Sequence, residues 1–203
     1  MEYQGLTQND LENVAALNRS WLDLHIGAGA GPSRLTPAKR DRLAAAPFLL
    51  FSYREQDQPL WQRLLSDGRQ RDLLRAPAQD ASHDLQATGL AFLWELARRN
   101  PYAARVVSIA PLHWCERIAS STLVRLMECA AGEKLIEPRL PASTPMQRRL
   151  FLRGAGARRD ARKAAQIATL QSLLTVGETA RYGRLPAAAC RLAQPSRQVA
   201  DKV

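Results

Sequence analysis

Seven cationic side chains lie close together in the last third of the chain, where they could bind phosphate or carboxylate groups. Between residues 146 and 165 these seven positive charges face one negative charge, on Asp160, so the stretch carries +6. Arginine pairs with phosphate and carboxylate oxygens through a planar fork and is less strongly hydrated than lysine. We therefore predict a surface that binds nucleic acid or an acidic protein, formed by Arg148, Arg149, Arg153, Arg158, Arg159, Arg162 and Lys163.

Two helices joined by a short turn are predicted to carry this basic segment. Thr144 and Pro145 supply an N-cap and a first-turn proline, and the first helix should end at Gly154. A second helix is predicted from about Arg158 to Val176, stopped by Gly177. Its inward face is predicted to consist of Ile167, Leu170, Leu173 and Leu174.

The order of these elements matches a DNA-binding motif. In a helix-turn-helix, the N-terminus of the second helix enters the major groove. Positive charge at a helix N-terminus opposes the helix dipole, so these arginines do not serve helix stability and a recognition role is favoured. The segment 144–176 is therefore a candidate helix-turn-helix, although an acidic protein surface could bind the same arginines.

Composition indicates a folded, basic protein. The chain has 203 residues, is 46% hydrophobic and carries a net charge of +10, which permits one core or two small ones. The first thirty residues are instead acidic: they contain Glu2, Asp10, Glu12 and Asp23, and their only basic residue among Lys and Arg is Arg19. A charge that is polarised along the chain favours a polyanionic partner.

Localisation is predicted from the features that the sequence lacks. The first residues show no basic and apolar leader pattern, and no apolar run is long enough to span a bilayer. The three cysteines contain no CxxC pair, which argues against a disulfide framework and against a zinc knuckle. We expect a cytoplasmic, bacterial-type protein that has no membrane span.

Enzyme and metal motifs are not supported. The glycine loop at 27–31 has Pro32 where a dinucleotide-binding loop needs its third glycine, and it lacks the lysine of a P-loop. Ser82, His83 and Asp84 are better explained as a helix start that is capped by Ser82 than as a hydrolase triad. His113 and Cys115 lie two residues apart on a predicted helix, so they cannot readily share one ion. We predict a non-enzymatic protein with no catalytic residues, no cofactor and no metal.

Hydrophobic periodicity predicts an all-α, multi-helix bundle with at most one short β segment near residues 48–53. The apolar stripe over 112–131 predicts one long helix, stopped by Gly132. Polar residues 76–82 are predicted to form a linker. The predicted division is an N-terminal helical lobe at 1–75, a C-terminal helical lobe at 83–177 that contains the basic segment, and a basic tail at 178–203 that is disordered or forms one short helix.

One part of the chain resembles a known family. An Asn-x-Ser-aromatic-Leu helix at 18–22 is followed by Leu35-Thr36-Pro37, then by Leu43-Ala44, Leu49-Leu50 and Tyr53-Arg54. This pattern, over about residues 13–54, resembles the N-terminal half of the D subunit of the flagellar master transcription regulator. The chain is longer and more basic than that family and inserts glycines 27–31 between the two similar segments.

The resemblance implies a dimerising helical transcription factor, because members of that family are dimeric and act on promoter DNA with a zinc-containing partner subunit. The cysteine cluster of that partner is absent from this sequence. Together with the basic segment, the resemblance leads us to expect a nucleic-acid-binding, transcription-related regulator that forms a homodimer or hetero-oligomer. The alternative is a non-enzymatic helical adaptor that docks an acidic protein within a larger assembly.

Overall fold

A computed structural model describes residues 5–26, 35–66, 80–141 and 144–179. Within these residues the fold is all-α, as predicted, with a single small antiparallel sheet. The elements are α1 (Gln8–Ile26), α2 (Pro37–Ala44), β1 (Phe51–Ser52), α3 (Gln58–Ser66), α4 (Ala81–Arg99), α5 (Pro101–Ser108), α6 (Leu112–Ser120), α7 (Leu123–Gly132), β2 (Glu137–Pro138), α8 (Pro145–Arg149), a π-helical turn (Leu150–Gly154) and α9 (Arg159–Thr179).

The start of α1 is fixed by a side chain from inside the helix. The Asp10 carboxylate accepts hydrogen bonds from the Thr7 backbone N–H at 2.8 Å and from the Thr7 hydroxyl at 2.7 Å. Arg99, in the last turn of α4, donates to the same carboxylate at 2.6 Å. One capping residue therefore also ties the start of α1 to the end of α4.

Asn18 explains part of the pattern at 13–54 in structural terms. Its side-chain amide donates to the carbonyls of Ala44 at 3.1 Å and Phe48 at 2.9 Å, and its oxygen accepts the N–H of Leu50 at 2.8 Å. The side chain is fully buried. Asn18 thus joins α1 to the end of α2 and to the segment that enters β1, and this structural role is independent of any ligand.

Most large apolar side chains of the described residues belong to one buried cluster. It contains Trp21 from α1, Phe51 from β1 and Leu93 from α4, together with Trp61 and Trp114, whose rings meet edge to face with centroids 5.2 Å apart. The cluster draws on sequence from both predicted lobes. The predicted linker at 76–82 lies mostly outside the described residues, so the division into lobes stays a prediction.

The predicted β segment is confirmed, and it has a partner that the sequence did not reveal. Phe51 pairs with Pro138 and Ser52 pairs with Glu137 in an antiparallel ladder. Just beyond each strand, Glu55 and Arg139 form a buried ion pair of 2.8 Å, and Arg139 also donates to the Phe51 carbonyl at 2.7 Å. The short ladder is therefore reinforced by charge.

The prediction of one helix over 112–131 is wrong, because the chain turns between α6 and α7. Ser121 is extended, and its carbonyl accepts a 2.8 Å hydrogen bond from the indole N–H of Trp94. Thr122 then caps α7 by accepting the N–H of Arg125 at 3.2 Å. Ser and Thr offer the backbone an alternative to helical hydrogen bonds, which is the local reason for the break.

Gly89 lies where α4 crosses the aromatic ring of Tyr53. A β-carbon at this position would overlap the Tyr53 hydroxyl, which donates to the Gln86 carbonyl at 3.0 Å. Gly89→Ala should therefore lower the free energy of unfolding by about 1–3 kcal/mol. In an unhindered helix the same change would stabilise the protein by up to about 1 kcal/mol, so the sign is informative. Urea denaturation measures it.

Two companion variants test whether the Tyr53 hydroxyl is the cause. In a Tyr53→Phe background the nearest remaining ring atom that the β-carbon meets is Cζ at 3.3 Å, so Gly89→Ala should cost less there than in the wild type. Gly5→Ala is the control, because a β-carbon at Gly5 has no neighbour within 4 Å. Equal penalties for Gly89→Ala in both backgrounds would place the strain elsewhere.

Candidate polyanion-binding surface

The basic segment forms two helical pieces joined by a turn. The Thr144 hydroxyl accepts the N–H of Gln147 at 3.1 Å, which confirms the predicted N-cap, and Pro145 occupies the first turn. The helix continues beyond α8 as a π-helical turn to Gly154, and α9 begins at Arg159. Four residues, 155–158, therefore separate the two pieces.

Gly156 is required by the tightness of this turn. Its N–H donates to the Arg153 carbonyl at 3.0 Å, and a β-carbon on Gly156 would lie 2.9 Å from that same oxygen. Because the obstacle is backbone, it cannot move aside as a flexible side chain would. The glycine thus sets how closely α9 follows the π turn.

Six of the seven predicted cations have exposed side chains, and Arg162 is half-buried. No carboxylate of the described residues lies within ion-pair distance of Arg149, Arg153, Arg158, Arg159 or Lys163. Two of the acids of α1 are used elsewhere, since Asp10 pairs with Arg99 and Asp23 pairs with Arg40, each at 2.6 Å. The basic segment therefore presents charge that these acids do not neutralise.

Arg162 differs from its neighbours because it folds back onto the turn. One terminal nitrogen donates to the carbonyls of Gly156 at 3.0 Å and Ala157 at 3.3 Å. These two carbonyls precede α9 and have a cation as their partner. We therefore give Arg162 a role in holding the turn, in addition to its contribution to the positive field.

The rotation of α9 differs from the prediction at one position. Ala165, Gln166 and Thr169 are buried, and Gln166 donates to the carbonyls of Gly154 at 3.0 Å and Arg42 at 3.1 Å. Ile167 was predicted to face inward but is 49% exposed. Small and polar residues make the contact with the turn and with α2, so the apolar pattern alone misplaces the buried stripe.

The helix also passes the residue that was predicted to stop it. It extends through Gly177 to Thr179. Leu170, Leu173 and Leu174 are half-buried against the core, as the pattern indicates. The predicted tail from residue 180 onward and the glycine loop at 27–31 lie outside the described residues.

A groove runs between α8 and α9. Two adjoining cavities of about 660 Å³ each share Arg149 and Ala168 and together form what we term the α8–α9 groove. Its basic end carries Arg149, Arg153 and Arg158, and its apolar end carries Leu140, Met146 and Leu173. The floor between the ends consists of Ala161, Ala164, Ala165 and Ala168.

Sequence reasoning missed the groove floor. The four alanines follow the spacing i, i+3, i+4 and i+7, which places them on one face of α9. That signal was available, but alanine is also a generally favoured helix residue and marks no site by itself. Only the position of α8 beside this face turns the alanines into the floor of a groove.

No family model, curated protein or solved structure matches this chain. The resemblance of residues 13–54 to the D subunit of the flagellar regulator thus stays a prediction, supported by the sequence pattern of those residues alone. Among the described helices, none combines the length and the apolar character needed to cross a bilayer.

The residues considered for catalysis or metal binding have other partners. α4 is capped by Asp80, whose carboxylate accepts the Ser82 N–H at 3.0 Å, so the prediction of a Ser82 cap is wrong. Burial raises the pKa of the Cys115 thiol to about 12, which keeps it protonated near neutral pH. His113 lies 3.0 Å from the Gln58 amide. Among the described residues, no cluster of His, Cys, Asp or Glu could hold a metal ion.

Proposed function

We propose that this chain is a nucleic-acid-binding, transcription-related regulatory protein that acts through the basic segment of α8, the turn and α9. One observation carries the proposal: five exposed cations on α8, the π-helical turn, the connecting turn and α9 have no carboxylate partner among the described residues. When such cations neutralise the phosphates of a nucleic acid, the counterions condensed on that nucleic acid are released, and this release favours binding. The resemblance at 13–54 supports the same class of protein.

The flank of α9 that bears Arg159 and Lys163 is the best place to test phosphate contact. These residues are four apart, so they share a face, and that face lies roughly 140–180° around the helix from Ala161 and Ala168 on the groove floor. Both side chains are exposed. Removing them should therefore weaken nucleic-acid binding without altering the groove.

The double variant Arg159→Ala/Lys163→Ala should bind a short random-sequence DNA duplex more weakly than the wild type at low salt. The slope of log K against log salt concentration should fall in magnitude by about two units, one for each phosphate contact removed. Fluorescence anisotropy with a labelled duplex, repeated over a range of salt concentrations, measures both quantities.

A matched control removes two exposed cations elsewhere. Arg98 lies at the end of α4 and Lys134 follows α7, and both are exposed. Arg98→Ala/Lys134→Ala should leave the salt slope close to that of the wild type. If both double variants change the slope equally, or neither does, the proposal that α9 contacts phosphates fails.

A further inference from the structure

The α8–α9 groove is shaped like a site for an elongated ligand. Its two sides run in opposite chain directions, since Met146 and Leu173 line one end and Arg153 and Ala161 line the other. The two cavities adjoin at Arg149 and Ala168, so the groove continues along more than two turns of α9. A helix laid between α8 and α9 would complete a three-helix arrangement.

The side chains along the groove admit a helix at close range. From Ala161 to Ala168 the described side chains that line its floor are methyl groups, and the distance between packed helices falls as the side chains at the contact become smaller. Leu140, Pro141 and Leu173 line the apolar end. An apolar stripe on the incoming helix would therefore find both room and apolar contacts.

The positive charge at one end of the groove favours an occupant that has acidic residues at the corresponding end. Arg149, Arg153 and Arg158 surround the basic end, and no acidic residue is among those described as lining either cavity. Carboxylates on the occupant would form charge-assisted hydrogen bonds there. A helix with acids near one end and an apolar stripe toward the other complements the groove along its length.

Other occupants fit less well. Among the described residues that line the groove, none is an aromatic side chain on which a base could stack, and the alanine floor between the arginines and Leu173 offers a sugar-phosphate backbone no donor. Helix α1 of a second copy is also a poor match, because Asp10 and Asp23 are already paired within their own chain. The sequence after residue 180 is itself basic.

We propose that the α8–α9 groove docks an acidic amphipathic helix of a different protein. The site goes beyond the proposed nucleic-acid function: it shares Arg149, Arg153 and Arg158 with the basic segment, but it does not depend on nucleic-acid binding. It uses the face of α9 that bears the alanines, whereas the phosphate test uses Arg159 and Lys163. A regulator that carried both surfaces would bind a nucleic acid and a protein partner on the two flanks of one helix.

The probe is a synthetic, fluorescently labelled helical peptide with glutamates at one end and a leucine-alanine stripe along one face. Full-length protein should bind this peptide at least about tenfold more tightly than a scrambled peptide of the same composition. It should also bind the peptide about tenfold more tightly than a version with glutamine in place of glutamate. Equal binding of the scrambled and amphipathic peptides would overturn the proposal and indicate a nonspecific polyanion surface.

Two groove variants locate the site. Ala161→Phe/Ala168→Phe fills the floor and should weaken peptide binding about tenfold or more. Gln171→Phe is the control, since Gln171 is an exposed residue of α9 outside the groove. If the filled variant and the control bind the peptide equally, the groove is not the site.

A charge variant keeps the test decisive if the double phenylalanine variant does not fold. Ala161 is exposed, so Ala161→Glu should fold normally while placing a repelling carboxylate at the basic end of the groove. It should weaken peptide binding, whereas Gln171→Glu, with the same charge change, should not. Ala161→Phe/Ala168→Phe should leave the DNA salt slope unchanged, so a failure of this proposal is distinguishable from a failure of nucleic-acid binding.

Discussion

Replacing Arg139 with methionine is expected to lower the free energy of unfolding by about 3–5 kcal/mol. The ion pair of Arg139 with Glu55 is buried, with side-chain exposures of 7% and 3% respectively. Removing the guanidinium leaves the Glu55 carboxylate in the protein interior without its partner. It also removes the 2.7 Å hydrogen bond to the Phe51 carbonyl. Urea denaturation at neutral pH measures the loss.

Two comparisons separate burial from charge. Arg63 and Glu133 form an ion pair at 2.9 Å whose arginine is 57% exposed, and Arg63→Met should cost no more than about 1 kcal/mol. The double variant Glu55→Leu/Arg139→Met should be more stable than Arg139→Met alone, because it leaves no unpaired charge. If the second substitution gave no recovery, the penalty would come from packing and not from the orphaned carboxylate.

The same pair connects the core to the candidate site. Arg139 follows β2 and lines the apolar end of the α8–α9 groove, and its backbone N–H donates to the Leu50 carbonyl at 3.0 Å. Leu140 and Pro141, next along the chain, form part of the same wall. The position of that wall therefore depends on a buried ion pair with a residue near β1, far away in sequence.

Local signals in the sequence were sufficient for most of the helices. The Thr144-Pro145 start of α8 rests on interactions within one helical turn, and it was predicted. The turn at Ser121 and Thr122 was not, because the apolar spacing continues across it. The turn is stabilised in part by the indole N–H of Trp94, which donates to the Ser121 carbonyl. Trp94 belongs to another helix, so the local sequence does not reveal this contact.

Part of the candidate site could likewise be predicted from the sequence, and part could not. The cluster of cations was visible in the sequence, because it depends only on composition over twenty residues. The groove was not visible, since it depends on how α8 and α9 are rotated against each other. That rotation is set by Gln166 and Gly156, through a hydrogen bond to Gly154 and a backbone approach to Arg153. Burial of Glu55 had no sequence signal at all.

Gln86→Leu is expected to destabilise the protein by about 3–5 kcal/mol, although leucine is similar in size and is apolar. The Gln86 amide nitrogen donates to the carbonyls of Ala130 at 2.7 Å and Glu133 at 2.8 Å. Its oxygen accepts the N–H groups of Leu135 at 2.7 Å and Ile136 at 3.3 Å. One buried side chain on α4 thus satisfies four backbone groups between the end of α7 and β2.

The cost arises from these backbone groups, because each buried donor or acceptor that loses its partner keeps its desolvation penalty. Gln62→Leu, at an exposed position of α3, should change stability by no more than about 0.5 kcal/mol. Hydrogen exchange gives an independent readout, since the amides of Leu135 and Ile136 should lose protection before those of α5. A Gln86→Leu variant that kept both its stability and that protection would show that water replaces the amide, and that the segment between α7 and β2 does not depend on Gln86 for its position.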